Sequence, residues 1–332
     1  MHRSIFKLVL SLCMVSVCTS IIHGYEPEDV SSTESTTDFN TSSDTKILND
    51  LPSDQLTGLY EVGYRKVKIE LTDGSSYEAW VFYPAQSTKR DEPILSSTDP
   101  YPALSFGHGF LQAAHRYKHT LRFIASHGYI VIATNSHRGF APNHAQYSQD
   151  LAQCLEHLIA LSQDESSWLS GCVDEDALAL SGHSMGGGAA VIAAKLLDVQ
   201  ALLPLAGAPI RMSRTKTVVP TQPPAELHIV GSLDRIITPA ASRTLMGRTE
   251  GPKLFATIEG GSHCGFMDET RIGCDKGTIG HQSQVRMTRS LMLAFLDLNL
   301  KGNVDMHQQV WVEHEDEARG LVTIDRVTYT DE

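Results

Sequence analysis

Ser181-Gly182-His183-Ser184-Met185-Gly186-Gly187-Gly188 is the stretch on which the reading of this chain turns. It directly follows the apolar run 177–180 and opens the small-residue stretch 189–197, the point where a buried strand gives way to a helix. A G-x-S-x-G sequence in that setting holds its serine on a tight turn of strained backbone. Gly182 and Gly186 leave out the side chains that would otherwise collide where strand and helix approach. Ser184 is therefore expected to be held out at the carboxyl edge of a sheet as a nucleophile.

Working outward, the chain keeps one rhythm. Short apolar runs at 103–106, 129–134, 177–180, 201–205, 227–230 and 254–258 alternate with stretches of helical spacing at 117–127, 146–161 and 282–298. Continuous apolar runs of this length suit parallel strands covered on both faces. Upstream, Val67, Ile69 and Leu71 alternate with Lys66, Lys68 and Glu70. Asp73-Gly74 supplies a turn and 77–83 resumes as a strand, which reads as a β-hairpin. Two antiparallel and six parallel strands predict a mostly parallel eight-stranded sheet with helices on both faces. The last thirty residues, with 310–312 and 321–324, offer edge strands or a tail. The connection 206–224 holds no helical pattern, so no lid domain is expected there.

A serine hydroxyl needs a base within reach and a third group to orient that base. Downstream of Ser184, the strand at 227–231 runs into Asp234, and the strand at 254–258 runs into Gly260-Gly261-Ser262-His263. Both residues fall on loops beyond strand carboxyl ends, in the order acid then base. Fifteen histidines compete for the base, and position selects His263. His115 and His119 stand four apart but lack the H-E-x-x-H arrangement, and no metal or other cofactor is called for. The oxyanion of an acyl-transfer intermediate needs backbone donors. The N–H groups of Phe110, after Gly107-His108-Gly109, and of Met185, at a helix start, are the candidates.

The 332 residues are 41% hydrophobic and 20% charged, an ordinary globular composition without a run long enough to span a bilayer. A formal net charge of -12 repels phosphate backbones, so no nucleic acid partner is expected. His2, Arg3 and Lys7 precede the apolar segment 8–17 and then small residues, the layout of a cleaved secretory leader over 1–24. Between Ser31 and Thr45, ten of fifteen residues are Ser or Thr, so 25–55 reads as a disordered linker. A catalytic domain over 56–302 and an extension over 303–332 complete the organisation. Four cysteines remain after the leader. They allow three pairings, of which the sequence neighbours Cys264–Cys274 and Cys154–Cys172 are favoured in an exported protein.

With these residues in place the chain resembles the α/β-hydrolases of the dienelactone hydrolase, chlorophyllase and cutinase-like polyester hydrolase group. The likeness covers roughly 59–302. It rests on Gly107-His108-Gly109-Phe110, Ile124-Ala125-Ser126-His127-Gly128-Tyr129, the Ser184 octapeptide, Asp234 followed by Pro239, and Gly260-Gly261-Ser262-His263. Tyr83-Pro84-Ala85 is also similar to the platelet-activating-factor acetylhydrolases. The resemblance implies Ser184, Asp234 and His263 as triad, Phe110 and Met185 as oxyanion donors, and a small-molecule or polymeric ester as substrate of a monomeric, secreted or periplasmic enzyme. Where polyester hydrolases of the group carry a Pro-Trp pair, this chain has Ala208-Pro209-Ile210. Phe110, Leu111 and Ile210 are thus the expected cleft walls, with short to medium acyl esters preferred over aromatic polyesters. A phospholipase A2-type acetylhydrolase, a peptidase and an acyltransferase would use the same residues, and a non-catalytic binding protein could retain the fold.

Overall fold

The computed structural model describes residues 58–71, 74–210, 223–269 and 273–327. The expected leader and linker lie outside them, as do 211–222 of the connection on which the expectation of no lid rests. β1 (Glu61–Glu70) and β2 (Ser76–Ala85) form the antiparallel hairpin, in register from Glu61 opposite Ala85 to Glu70 opposite Ser76. β3 (Tyr101–Gly107), β4 (Ile130–Thr134), β5 (Val173–His183), β6 (Ala201–Leu205), β7 (Ala225–Gly231) and β8 (Lys253–Ile258) are mutually parallel. The sheet has nine strands rather than eight, in the order β1-β2-β4-β3-β5-β6-β7-β8-β9.

The ninth strand, β9 (Val322–Val327), comes from the extension and pairs antiparallel with β8. Val322 and Ile324 are buried while Thr323 and Asp325 face out, the alternation of a strand with one covered face. By contrast, 310–312 lies in a π-helical turn, Gln308–Val312. The Leu321 carbonyl also accepts a bond from Glu259 N–H at 2.9 Å, fastening the start of the loop beyond β8.

Helices α1 (Lys118–Ser126), α2 (His144–Gln163), α3 (Met185–Ala193), α4 (Pro239–Arg243), α5 (His281–Leu300) and α6 (Glu315–Ala318), with short 3-10 turns between them, complete the described elements. Successive strand side chains divide between two apolar clusters. Leu104, Phe106, Val131, Ala133 and Ala179 pack with Leu121 and Ile124 of α1 and Leu291 and Phe295 of α5. Ala103, Ile130, Ile132, Leu178 and Leu180 pack with Leu151 and Leu155 of α2 and Ala189 and Ile192 of α3. Burial on both faces is why these strands show no polar alternation.

Cys264 and Cys274 form a disulfide, with Cα atoms 5.7 Å apart. Cys154 and Cys172 are free, contrary to the expected second pairing. Cys154 lies near the middle of α2, about 13 Å along the axis from the helix end, whereas Cys172 lies beyond that end; a bridge needs Cα atoms within about 7 Å. The buried Cys154 thiol sits against the Tyr77 hydroxyl at 3.8 Å, and burial pushes its pKa up to about 12.

Candidate active site

The carboxyl ends of β3, β5, β7 and β8 share one edge of the sheet. Ser184 follows β5 with φ 57° and ψ -116°, a backbone conformation that costs free energy in any residue with a side chain. Close packing enforces it. A Cβ on Gly186 would lie 2.1 Å from the Gly107 carbonyl oxygen, and one on Gly182 would lie 2.5 Å from the Gly186 backbone. The turn is tied to the end of β6 and the segment beyond it: Ser184 N–H donates to Leu205 O at 2.9 Å, and Ala208 N–H donates to Ser184 O at 2.8 Å. The Ser184 hydroxyl is not used as a cap for α3, so the helix makes no claim on it.

Asp234 and His263 meet across their two loops. Asp234 Oδ2 lies 2.7 Å from His263 Nδ1, and both side chains are buried. Asp234 Oδ1 accepts the N–H groups of Ile236 and Ile237 at 2.9 and 2.8 Å, which fixes the carboxylate plane. The loops are locked together by Leu233 N–H to Gly261 O at 2.9 Å and Gly260 N–H to Ser232 Oγ at 2.8 Å. Gln284 of α5 clamps Ser262 through both its N–H and its carbonyl, at 2.9 and 2.8 Å. Asp275 accepts from the backbone of His263, Cys264 and Arg235 at 2.8, 3.0 and 3.3 Å, spanning both loops. The sequence does not announce Gln284 and Asp275, because nothing in it marks a residue whose partners are backbone groups of distant loops.

Ser184 and His263 line one cleft of about 250 Å³, together with Phe110, Ile236, Met267 and the Cys264–Cys274 bridge. The link between serine and imidazole is this shared cleft rather than a hydrogen bond. Met185 opens α3, where the first N–H groups of a helix have no acceptor within it. Phe110 is 41% exposed at the cleft mouth, on the turn after β3. A larger cavity of about 780 Å³ between α1 and α5 contains none of Ser184, Asp234 and His263, so size does not select the site.

Two expected cleft residues sit elsewhere. Leu111 is on the same turn as Phe110, with φ 58°, but is not in the lining. Ile210 is 7% exposed and packs in the α2–α3 cluster, close enough that a Cβ on Gly188 would lie 3.2 Å from its Cγ1. The bond from Ala208 to Ser184 draws this segment under the elbow. Ile236, 51% exposed beside Asp234, is the aliphatic wall instead. His115 and His119 fall in different elements, a 3-10 turn and α1. Among the described residues no group of three or more His, Cys, Asp or Glu side chains is placed to hold a metal ion. No helix among them is long and apolar enough to cross a membrane.

No relative among curated proteins matches the chain. A profile of PET hydrolase-like proteins matches residues 68–276, more than half of the sequence, and that span contains Ser184, Asp234, His263 and both bridged cysteines. With that match laid over this nine-stranded α/β sheet, the chain belongs to the PET hydrolase-like family of α/β-hydrolases.

Proposed function

We propose that the chain is an exported serine carboxylester hydrolase that forms an acyl-enzyme on Ser184 and acts on short to medium acyl esters and on polyester. The observation that carries this reading is the Asp234–His263 bond of 2.7 Å opening onto the cleft that holds the strained Ser184. Asp234 holds the proton of the imidazole on Nδ1, so Nε2 is free to take the proton of Ser184 Oγ as that oxygen attacks the ester carbonyl. The Phe110 and Met185 amides receive the oxyanion. His263 then returns the proton to the departing alcohol, and water repeats the cycle on the acyl-enzyme. The leader-like N-terminus and the disulfide support export.

A fluorophosphonate probe tests the assignment: one label on the peptide containing Ser184 is expected, and labelling elsewhere or none overturns it. The cleft of about 250 Å³ lies below the usual range for drug-sized ligands. Rates on p-nitrophenyl esters are therefore expected to fall beyond medium acyl lengths. Ile236→Trp places a flat ring at the cleft wall and is expected to raise release from a terephthalate polyester film. Ile210→Trp overfills the core and is expected to cost about 1–3 kcal/mol of stability without that gain. Thermal melts and film assays of the two variants check both outcomes.

Reduction of the Cys264–Cys274 bridge gives a further expected result. Closing so short a loop contributes about 2–3 kcal/mol. Because Cys264 adjoins His263, kcat should fall at temperatures where the domain remains folded. The check is activity and circular dichroism after reduction and alkylation, with mass spectrometry confirming both modified thiols. Full activity in that species would show that the bridge does not hold the base.

A further inference from the structure

Tyr117 lies in the turn before α1 and is 1% exposed, its ring packed on Phe106 with centroids 4.9 Å apart. Its hydroxyl is 3.1 Å from Gly109 N and 2.8 Å from His183 Nδ1. His183 Nε2 is in turn 3.1 Å from the backbone carbonyl of His263. An amide can only donate and a carbonyl can only accept, so for a neutral imidazole the direction of the whole series is fixed. Gly109 N–H donates to the Tyr117 oxygen, Tyr117 O–H donates to Nδ1, and Nε2–H donates to the His263 carbonyl. That order requires a neutral His183. Burial, with His263 beside it, holds its imidazole well below the usual range, and burial keeps the Tyr117 phenol protonated.

Three members of this series belong to three different parts of the site. Gly109 precedes Phe110, His183 precedes Ser184, and His263 is the base, its ring 4.5 Å from that of His183. We infer that Tyr117 and His183 are positioning residues that lock the oxyanion loop, the nucleophile turn and the base loop to one another. The inference rests on the roles proposed above for Ser184, His263 and Phe110. Neither residue offers a polar atom to the reaction, because the phenol and both ring nitrogens are committed to protein groups; the His183 ring itself lines the cleft. Removing the phenol oxygen leaves Gly109 N–H and Nδ1 without partners and frees His183 to take the tautomer that cannot bond the His263 carbonyl. A misplacement of about 1 Å can cost about 100-fold in rate.

The test is a cycle of Tyr117→Phe, His183→Gln and the combined variant on a soluble p-nitrophenyl ester. Fluorophosphonate titration counts competent sites, so that unfolded molecules do not contribute. Tyr117→Phe is expected to lower kcat per site about 10- to 100-fold with KM within about twofold, and the combined variant to be no slower than the slower single. Parent-like kcat in Tyr117→Phe, or losses that multiply in the combined variant, would overturn the inference. If Tyr117→Phe does not fold, His183→Gln alone carries the same expectation, and parent-like kcat there overturns it equally. Turnover by Ser184→Ala would instead bring down the functional reading beneath it. An inactive Ser184→Ala beside a fully active Tyr117→Phe overturns this inference alone.

Discussion

Ser184→Ala is expected to lower kcat on a p-nitrophenyl ester by about five to six orders of magnitude while the protein stays folded. The substitution removes one oxygen that does not cap its helix, and alanine has the same Cβ that the φ of 57° already accommodates in serine. The backbone bonds at this turn, Ser184 N–H to Leu205 O and Ala208 N–H to Ser184 O, involve no side chain. The melting temperature should therefore move by no more than about 2 °C. Activity above about a tenth of the parent's would remove Ser184 from the mechanism.

Asp234→Asn is expected to cost about four orders of magnitude in kcat, again without unfolding. The reason is the direction of hydrogen bonds. The asparagine carbonyl can still accept the N–H groups of Ile236 and Ile237, as Asp234 Oδ1 does at 2.9 and 2.8 Å. Its NH₂ then faces His263 Nδ1 where a carboxylate oxygen stood at 2.7 Å. An amide donor there obliges Nδ1 to accept, which moves the ring proton to Nε2, the position that must be empty to take the serine proton. Steady-state kinetics beside a thermal melt decide it, and a loss smaller than about tenfold would mean that Asp234 does not orient the base.

The turn at Ser184 is legible in the sequence because its determinants are local. Gly182 is required by a collision within its own turn and Gly186 by one with Gly107 of the adjacent strand, but both needs are written as small residues at a fixed spacing around the serine. Asp234 and His263 are legible for a related reason: each comes a few residues after an apolar run, and parallel strands bring such loops to one edge. The features that escape such a reading depend on partners far along the chain. Tyr117 bonds a histidine 66 positions away, and no spacing rule announces that pair. The place of Ile210 after β6 suggests the cleft, but the bond from Ala208 back to the nucleophile turn draws it under α3. Cys154 and Cys172 look like neighbours only while the length of α2 is left out. β9 places only Val322 and Ile324 on a covered face, too few apolar positions for the sequence to separate it from a tail.

β9 has a consequence for the order in which the site is completed during synthesis. The parts of the site arrive in sequence as the loops after β3, β5, β7 and β8, but the last hold on the base loop, from Leu321 to Glu259, belongs to the strand entrance at the far end of the described chain. A nascent polypeptide that has emerged through His263 already contains Ser184, Asp234 and His263 and still lacks the second neighbour of β8. Under the function proposed above, a chain ending before Leu321 is expected to turn over a p-nitrophenyl ester more slowly than the full chain, and equal rates would show that this strand does not steady the loop of His263.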